Sequence, residues 1–146
     1  LLSEDGQQVI HHFTAANSPL PSDYIQTISV DEVTGDVYVG TSMGVVSYHG
    51  TATEGSLSNS NVLVFPNPVP AAYTGTIAIR GLVNNADVRI TDIAGHLVYQ
   101  AKALGGQMVW DGNDYTGHRP QSGVYLLFVS DSDGRQTHTG KIVFIR

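Results

Sequence analysis

The sequence predicts an all-β chain, and three observations carry that prediction. Short apolar runs with a period of two recur along it, among them Tyr24-Ile25-Gln26-Thr27-Ile28-Ser29-Val30, which alternates apolar and polar residues strictly. Sixteen Gly and six Pro in 146 residues supply the many reversals that short strands need. No stretch carries a convincing helical period.

Composition narrows the function before any motif is read. One to two small domains are expected at this length. With 41% hydrophobic residues the chain can build a core, and with 14% charged residues it has few charges to place on its surface. A net charge of −6 and the absence of a Lys/Arg run argue against binding nucleic acid through phosphates. Without Cys there is no disulfide or thiolate chemistry, although that alone does not fix the compartment. No apolar run approaches the roughly 18 residues of a membrane span. The opening Leu1-Leu2-Ser3 has neither an initiator Met nor a signal-peptide pattern, which leads us to expect a piece of something longer.

Taken in order, residues 8–13 read as a first strand, ending before the turn-rich stretch 17–22. Residues 24–30 form the alternating, half-buried strand, and 31–35 a turn. Residues 36–40 and 43–48 are two further strands joined around Thr41-Ser42. Four strands in under fifty residues match one propeller blade, about 40–45 residues long. The small, polar, aperiodic run 51–60 reads as a flexible linker, and the domain boundary is placed there. Residues 61–146 then hold seven candidate strands, at 62–65, 76–80, 87–92, 96–102, 107–110, 124–131 and 136–145. About seven short strands at this spacing are the pattern of an immunoglobulin-like β-sandwich. Val88 and Ile90 point to one face, Arg89 and Thr91 to the other. Val124, Leu126 and Phe128 are apolar on one face, and Tyr125, Leu127 and Val129 on the other. That strand is therefore central, with Trp110 capping the core beside it. The last strand ends the chain, and at a sheet edge its backbone is able to pair with a partner strand.

Nothing here reads as catalytic apparatus. Asp111, Asn113 and Asp114 offer oxygens that suit Ca²⁺, but the spacing lacks the twelve-residue loop pattern and a turn explains all three. His11 and His12, adjacent on the first strand, point to opposite faces and cannot chelate together. His49, His96, His118 and His138 have no partner at ligand spacing and read as surface residues. No Gly-x-Ser-x-Gly, Walker loop or His-Glu-x-x-His motif occurs, so neither an enzyme nor a cofactor is expected. Tyr24, Tyr38 and Tyr48 fit a glycan-facing surface or strand cores, and the core reading is preferred.

Two stretches resemble known families. The first runs Ser18-Pro19-Leu20-Pro21-Ser22-Asp23-Tyr24-Ile25, then Thr34-Gly35-Asp36-Val37-Tyr38-Val39-Gly40-Thr41 and Gly44-Val45-Val46. It resembles the two-component regulator propeller repeat, with Tyr38 where Trp is usual and Val45 where Leu is usual. One blade cannot bury its own faces. Residues 1–50 are thus expected to be the last blade of a larger propeller, its edges pairing with the sandwich or with another copy of the chain.

The second resemblance covers residues 62–146. Its blocks are Val64-Phe65-Pro66-Asn67-Pro68, Val88-Arg89-Ile90-Thr91-Asp92-Ile93-Ala94-Gly95, Trp110-Asp111-Gly112, Gly123-Val124-Tyr125-Leu126 and Lys141-Ile142-Val143-Phe144-Ile145-Arg146. It resembles the type A C-terminal sorting domain of the type IX secretion system of Bacteroidetes. The resemblance implies a domain that directs a passenger across the outer membrane to the cell surface or the medium, where machinery cleaves it off or retains it for docking. It implies the secretion translocon and the surface attachment machinery as protein partners, with lipopolysaccharide or glycan on the propeller as a further possibility. Gly123, Val124, Tyr125, Lys141, Ile142 and Val143 would carry recognition. Pro66, Asn67, Pro68, Gly95, Trp110, Asp111 and Gly112 would build the frame. Without the resemblance, Lys141 is a solvated strand-end charge. The alternatives are the extracellular propeller and Ig-like region of a two-component sensor, or a surface glycan-binding module.

Overall fold

In the computed structural model the described residues are 6–50 and 53–145. The opening Leu1-Leu2-Ser3, the linker residues Thr51 and Ala52, and the terminal Arg146 lie outside them. The structure is all-β and falls into two units, Leu1–Gly50 and Thr51–Arg146. Among the described residues no helix is long and apolar enough to cross a membrane.

The first unit is an antiparallel meander of β1 (Ile25–Val30), β2 (Asp36–Thr41) and β3 (Gly44–His49). Asp31 makes the first reversal. Its carboxylate accepts the N–H groups of Val33 and Thr34, and its carbonyl accepts that of Gly35. Ile28, Val39 and Val46 stand side by side on one face. Among the described residues three strands are present where four were expected: within 8–13 only Val9 makes an isolated bridge, and residues 10–13 join no strand. Phe13 and His11 instead set their rings against Tyr48, at centroid distances of 5.0 and 6.2 Å. A hollow of about 340 Å³ over Ile28, Val39 and Val46 is bounded by this segment. The physical reason is that the segment gains more by laying its rings on an uncovered apolar face than by adding its backbone to an edge. His11 and His12 are accordingly not on a strand. All of β1, expected to be half-buried, is exposed, and so are Tyr24, Tyr38 and Tyr48, expected in strand cores. One three-stranded sheet has two faces and, among residues 6–50, too little chain to cover them.

The second unit holds seven strands in two antiparallel sheets around one core. β4 (Leu63–Phe65), β5 (Ile77–Arg80) and β8 (Gln107–Trp110) form one sheet in the order β4-β5-β8. β6 (Asp87–Thr91), β7 (Leu97–Lys102), β9 (Gly123–Ser130) and β10 (Thr137–Phe144) form the other, in the order β10-β9-β6-β7. Period-two alternation decides which residues enter the core. Ile77, Ile79, Met108 and Trp110 come from the first sheet, and Val88, Ile90, Leu127, Val129, Ile142 and Phe144 from the second. Trp110 is fully buried, its ring stacked on Tyr99 at 5.5 Å and edge-on to Phe144 at 5.7 Å. It thus lies in the sheet opposite β9 rather than beside it. β9 is a central strand, paired with β10 and β6, yet only its inward face is covered. Val124 and Phe128 look outward and are about 40% exposed.

Three hairpin or loop reversals share one construction. In Asp92–Gly95, Asp114–Gly117 and Asp131–Gly134 the Gly N–H donates to the Asp carbonyl, and the Asp carboxylate accepts the N–H of the residue after the glycine. Each glycine has φ between +69° and +89°, where an L side chain is strained.

Residues 53–61, read from sequence as linker, carry defined bonds to the second unit. Thr53 bridges Gly105, Gly106 donates to the Thr53 carbonyl, and Ser56 donates to the Leu82 carbonyl. The run ends in a single 3-10 turn, Asn59–Asn61, in which Asn59 is buried. The Asn59 amide donates to the carbonyl of Gln136, just before β10, and accepts the N–H of Val83.

Candidate functional site

The residues expected to carry recognition converge on β9 and β10, which pair over eight positions from Thr137 with Ser130 to Phe144 with Gly123. Alternation then divides them. Tyr125 and Ile142 turn inward: Ile142 is fully buried, and the Tyr125 ring meets Phe144 edge-on at 5.3 Å while its hydroxyl donates to the Gln121 carbonyl. Val124, Lys141 and Val143 turn outward, with Gly123 at the strand start. On the outer face of the sheet Val124, Leu126 and Phe128 form an apolar row, with Val143 beside Val124. Lys141 stands across from Leu126 and makes no ion pair among the described residues. A hollow of about 230 Å³ lies between Thr137, Thr139, Phe128 and Arg89.

β10 is an edge strand, and the Pro66-Asn67-Pro68 stretch grips part of that edge. The Asn67 side-chain amide donates to the Lys141 carbonyl at 2.8 Å, and its oxygen accepts the Val143 N–H at 3.0 Å. One asparagine thereby takes the place of a peptide unit in the ladder. Val69 extends the grip, donating to the Val143 carbonyl and accepting the Ile145 N–H. The peptide bonds into Pro66 and Pro68 are both cis.

The frame residues act through the loop between β8 and β9. The Trp110 indole N–H donates to the Asn113 carbonyl at 2.7 Å. Asp111 accepts both the backbone and side-chain N–H of Asn113, and Asp114 accepts the N–H groups of Thr116 and His118. These bonds account for the acidic cluster as a turn. Among the described residues no three His, Asp or Glu side chains gather in a metal-binding group. A Cβ on Gly112 would collide with the Arg119 guanidinium. Arg119 ties the loop down, donating to the carbonyls of Asp111 and Tyr73 and lying 5.4 Å over the Phe144 ring. No role for Arg119, Asn59 or Val69 is evident from the sequence. Each acts on groups far away along the chain, at Gln136, Val143, Tyr73 or Phe144, so no local pattern signals them.

Electrostatic shifts mark the turns rather than a reactive centre. Hydrogen bonding to His96 holds the Asp92 carboxyl below its usual range, Thr116 and the His118 N–H do the same for Asp114, and His49 and Thr34 for Asp36. Burial pushes the Tyr99 hydroxyl up, assisted by the negative charge of Asp111.

The second unit is thus a small two-sheet β unit whose terminal strand lies at an edge with outward residues around it. The secretion system C-terminal sorting domain family matches residues 63–145, more than half of the chain, and the chain belongs to that family. It is also similar to PorZ of Porphyromonas gingivalis, described as an essential bacterial surface component of the type-IX secretion system. That likeness has 33% identity and a TM-score of 0.66, covering 99% of this chain and 20% of the PorZ chain. The chain therefore spans about one fifth of that PorZ structure. Dimeric latent PorU from the same organism is more distant, at 19% identity and a TM-score of 0.44 over 75% of this chain and 12% of that one. No curated protein sequence matches the chain.

Proposed function

We infer that residues 53–146 are a non-catalytic sorting and docking domain of a protein carried to the outer cell surface by type IX secretion. Residues 1–50 are read as the last blade of a β-propeller, and the arrangement as that of a PorZ-like component of the surface attachment machinery. The family match over 63–145 carries the reading, because it spans every strand from β4 to β10. The PorZ likeness supports the blade, since it extends across both units rather than the second alone. In fold terms the second unit is read as an immunoglobulin-like sandwich, supported by its division into four and three strands around one core.

The machinery would read Val124, Lys141 and Val143, which face outward, together with the exposed Gly123 at the strand start. Tyr125 and Ile142 would hold those residues in register from the inside, and Pro66, Asn67, Pro68, Gly95, Trp110, Asp111 and Gly112 would fix the frame. The test is to place an inert reporter ahead of residues 53–146, and separately ahead of residues 1–50, in a type IX-competent host. Surface reporter with the first fusion alone is the expected result. Surface reporter with neither, both being folded, would overturn the reading.

A further inference from the structure

The edge of β10 is closed over one half and open over the other. The Lys141 carbonyl, both backbone groups of Val143 and the N–H of Ile145 point away from β9 and are taken by Asn67 and Val69. Backbone groups on a strand alternate sides every residue. The N–H and C=O of Thr137 and Thr139 and the N–H of Lys141 therefore point the same way, and among the described residues no partner takes them. Asn59 fixes the chain just before this window, at Gln136, and Asn67 fixes it just after.

We propose that this window, Thr137 to Lys141, is where an extended segment of the secretion machinery adds as a fifth strand to the four-stranded sheet. The proposal rests on the sorting reading and names the place at which the domain is read. Two features set the chemistry of the incoming segment. Five unpaired backbone groups in strand spacing call for an extended main chain. Lys141, an outward cation with no ion pair among the described residues, calls for a carboxylate opposite it in the new pair. A polar side chain on the same face has a seat in the hollow beside Phe128 and Thr139, whose lining includes Asp87, Arg89 and Ser130. A lysine on an edge also discourages aggregation. That accounts for Lys141, but it does not account for a grip that closes one half of the edge and leaves the other open beside an exposed apolar row.

Proline tests the window without breaking β10. The N–H of Thr139 faces away from β9, so Thr139→Pro removes an edge donor and spares the ladder carried by His138 and Gly140. An inert reporter ahead of the whole chain, in a type IX-competent host, gives the readout. For a folded Thr139→Pro chain, surface reporter should fall about tenfold, as expected from losing one ladder hydrogen bond worth about 1.4 kcal/mol. Wild-type display by folded Thr139→Pro overturns the proposal and leaves the sorting reading intact. Failure of the unaltered chain to reach the surface overturns both. Should Thr139→Pro melt, Lys141→Glu substitutes, with the same loss expected and unchanged display contradicting it. A chain dimer abolished by Thr139→Pro with display unchanged would seat a second copy in the window, and overturns the proposal as well.

Discussion

Two asparagines decide how the terminal strand is held. The Asn59 side chain, 2% exposed, donates to the Gln136 carbonyl and accepts the Val83 N–H at once. Asn59→Ala leaves the Val83 N–H without its acceptor, while the Gln136 carbonyl keeps the Asp131 N–H, so urea unfolding should show a loss of about 1–3 kcal/mol with an unchanged slope. A loss near zero would mean that water replaces the amide without cost. The turn aspartates make a second prediction. Their carboxyls are more acidic in the folded chain than the ordinary value of 3.8. The stability they lend is therefore complete above that value and lost as pH falls through the lower folded one. The melting temperature should stay level as pH falls from neutrality toward 4 and drop below it, and Asp92→Asn with Asp114→Asn should flatten the drop. A drop of unchanged steepness in that variant would contradict the assignment.

At the scale of elements, the sequence was legible wherever local pattern decides the outcome. Strands at 76–80, 107–110 and 136–145 were bounded to within a residue by alternation and turn residues, and the Asp-x-x-Gly turns by their glycines. Nothing lies within 4 Å of a Cβ built on Gly95, so backbone strain alone governs substitution there. Gly95→Val should cost about 1–2 kcal/mol and Gly95→Asn much less, read from chemical melts. Equal costs would place the penalty in packing instead. Legibility failed where an element is held from afar. Residues 53–61 are small, polar and aperiodic, which describes a linker equally well, and only their bonds to Leu82, Val83, Gly106 and Gln136 reveal a strap. Residues 8–13 mislead in the opposite sense. Their apolar and aromatic content resembles a strand, but the rings go onto a sheet face and residues 10–13 join no strand.

For the whole molecule, charge separates along the chain. Glu4, Asp5, Asp23, Asp31, Glu32 and Asp36 meet no Lys or Arg within the first fifty residues, so that stretch carries the entire net charge of −6 while 51–146 is balanced. A balanced sorting unit exerts little long-range field, which favours recognition by shape, backbone and a few side chains over electrostatic steering. The strap also sets where that unit begins. A chain starting at residue 53 should unfold at a higher urea concentration than one starting at residue 63, which lacks Asn59 and the Thr53 bridge. Coincident midpoints would remove the strap from the folding unit. The claim that the second unit is an export address is tested most directly by one number, the fraction of a folded reporter, fused ahead of the whole chain, that protease removes from intact cells. Most of it should be removed in a type IX-competent host and almost none in the same host without its outer-membrane translocon. Equal fractions in the two hosts would contradict the account.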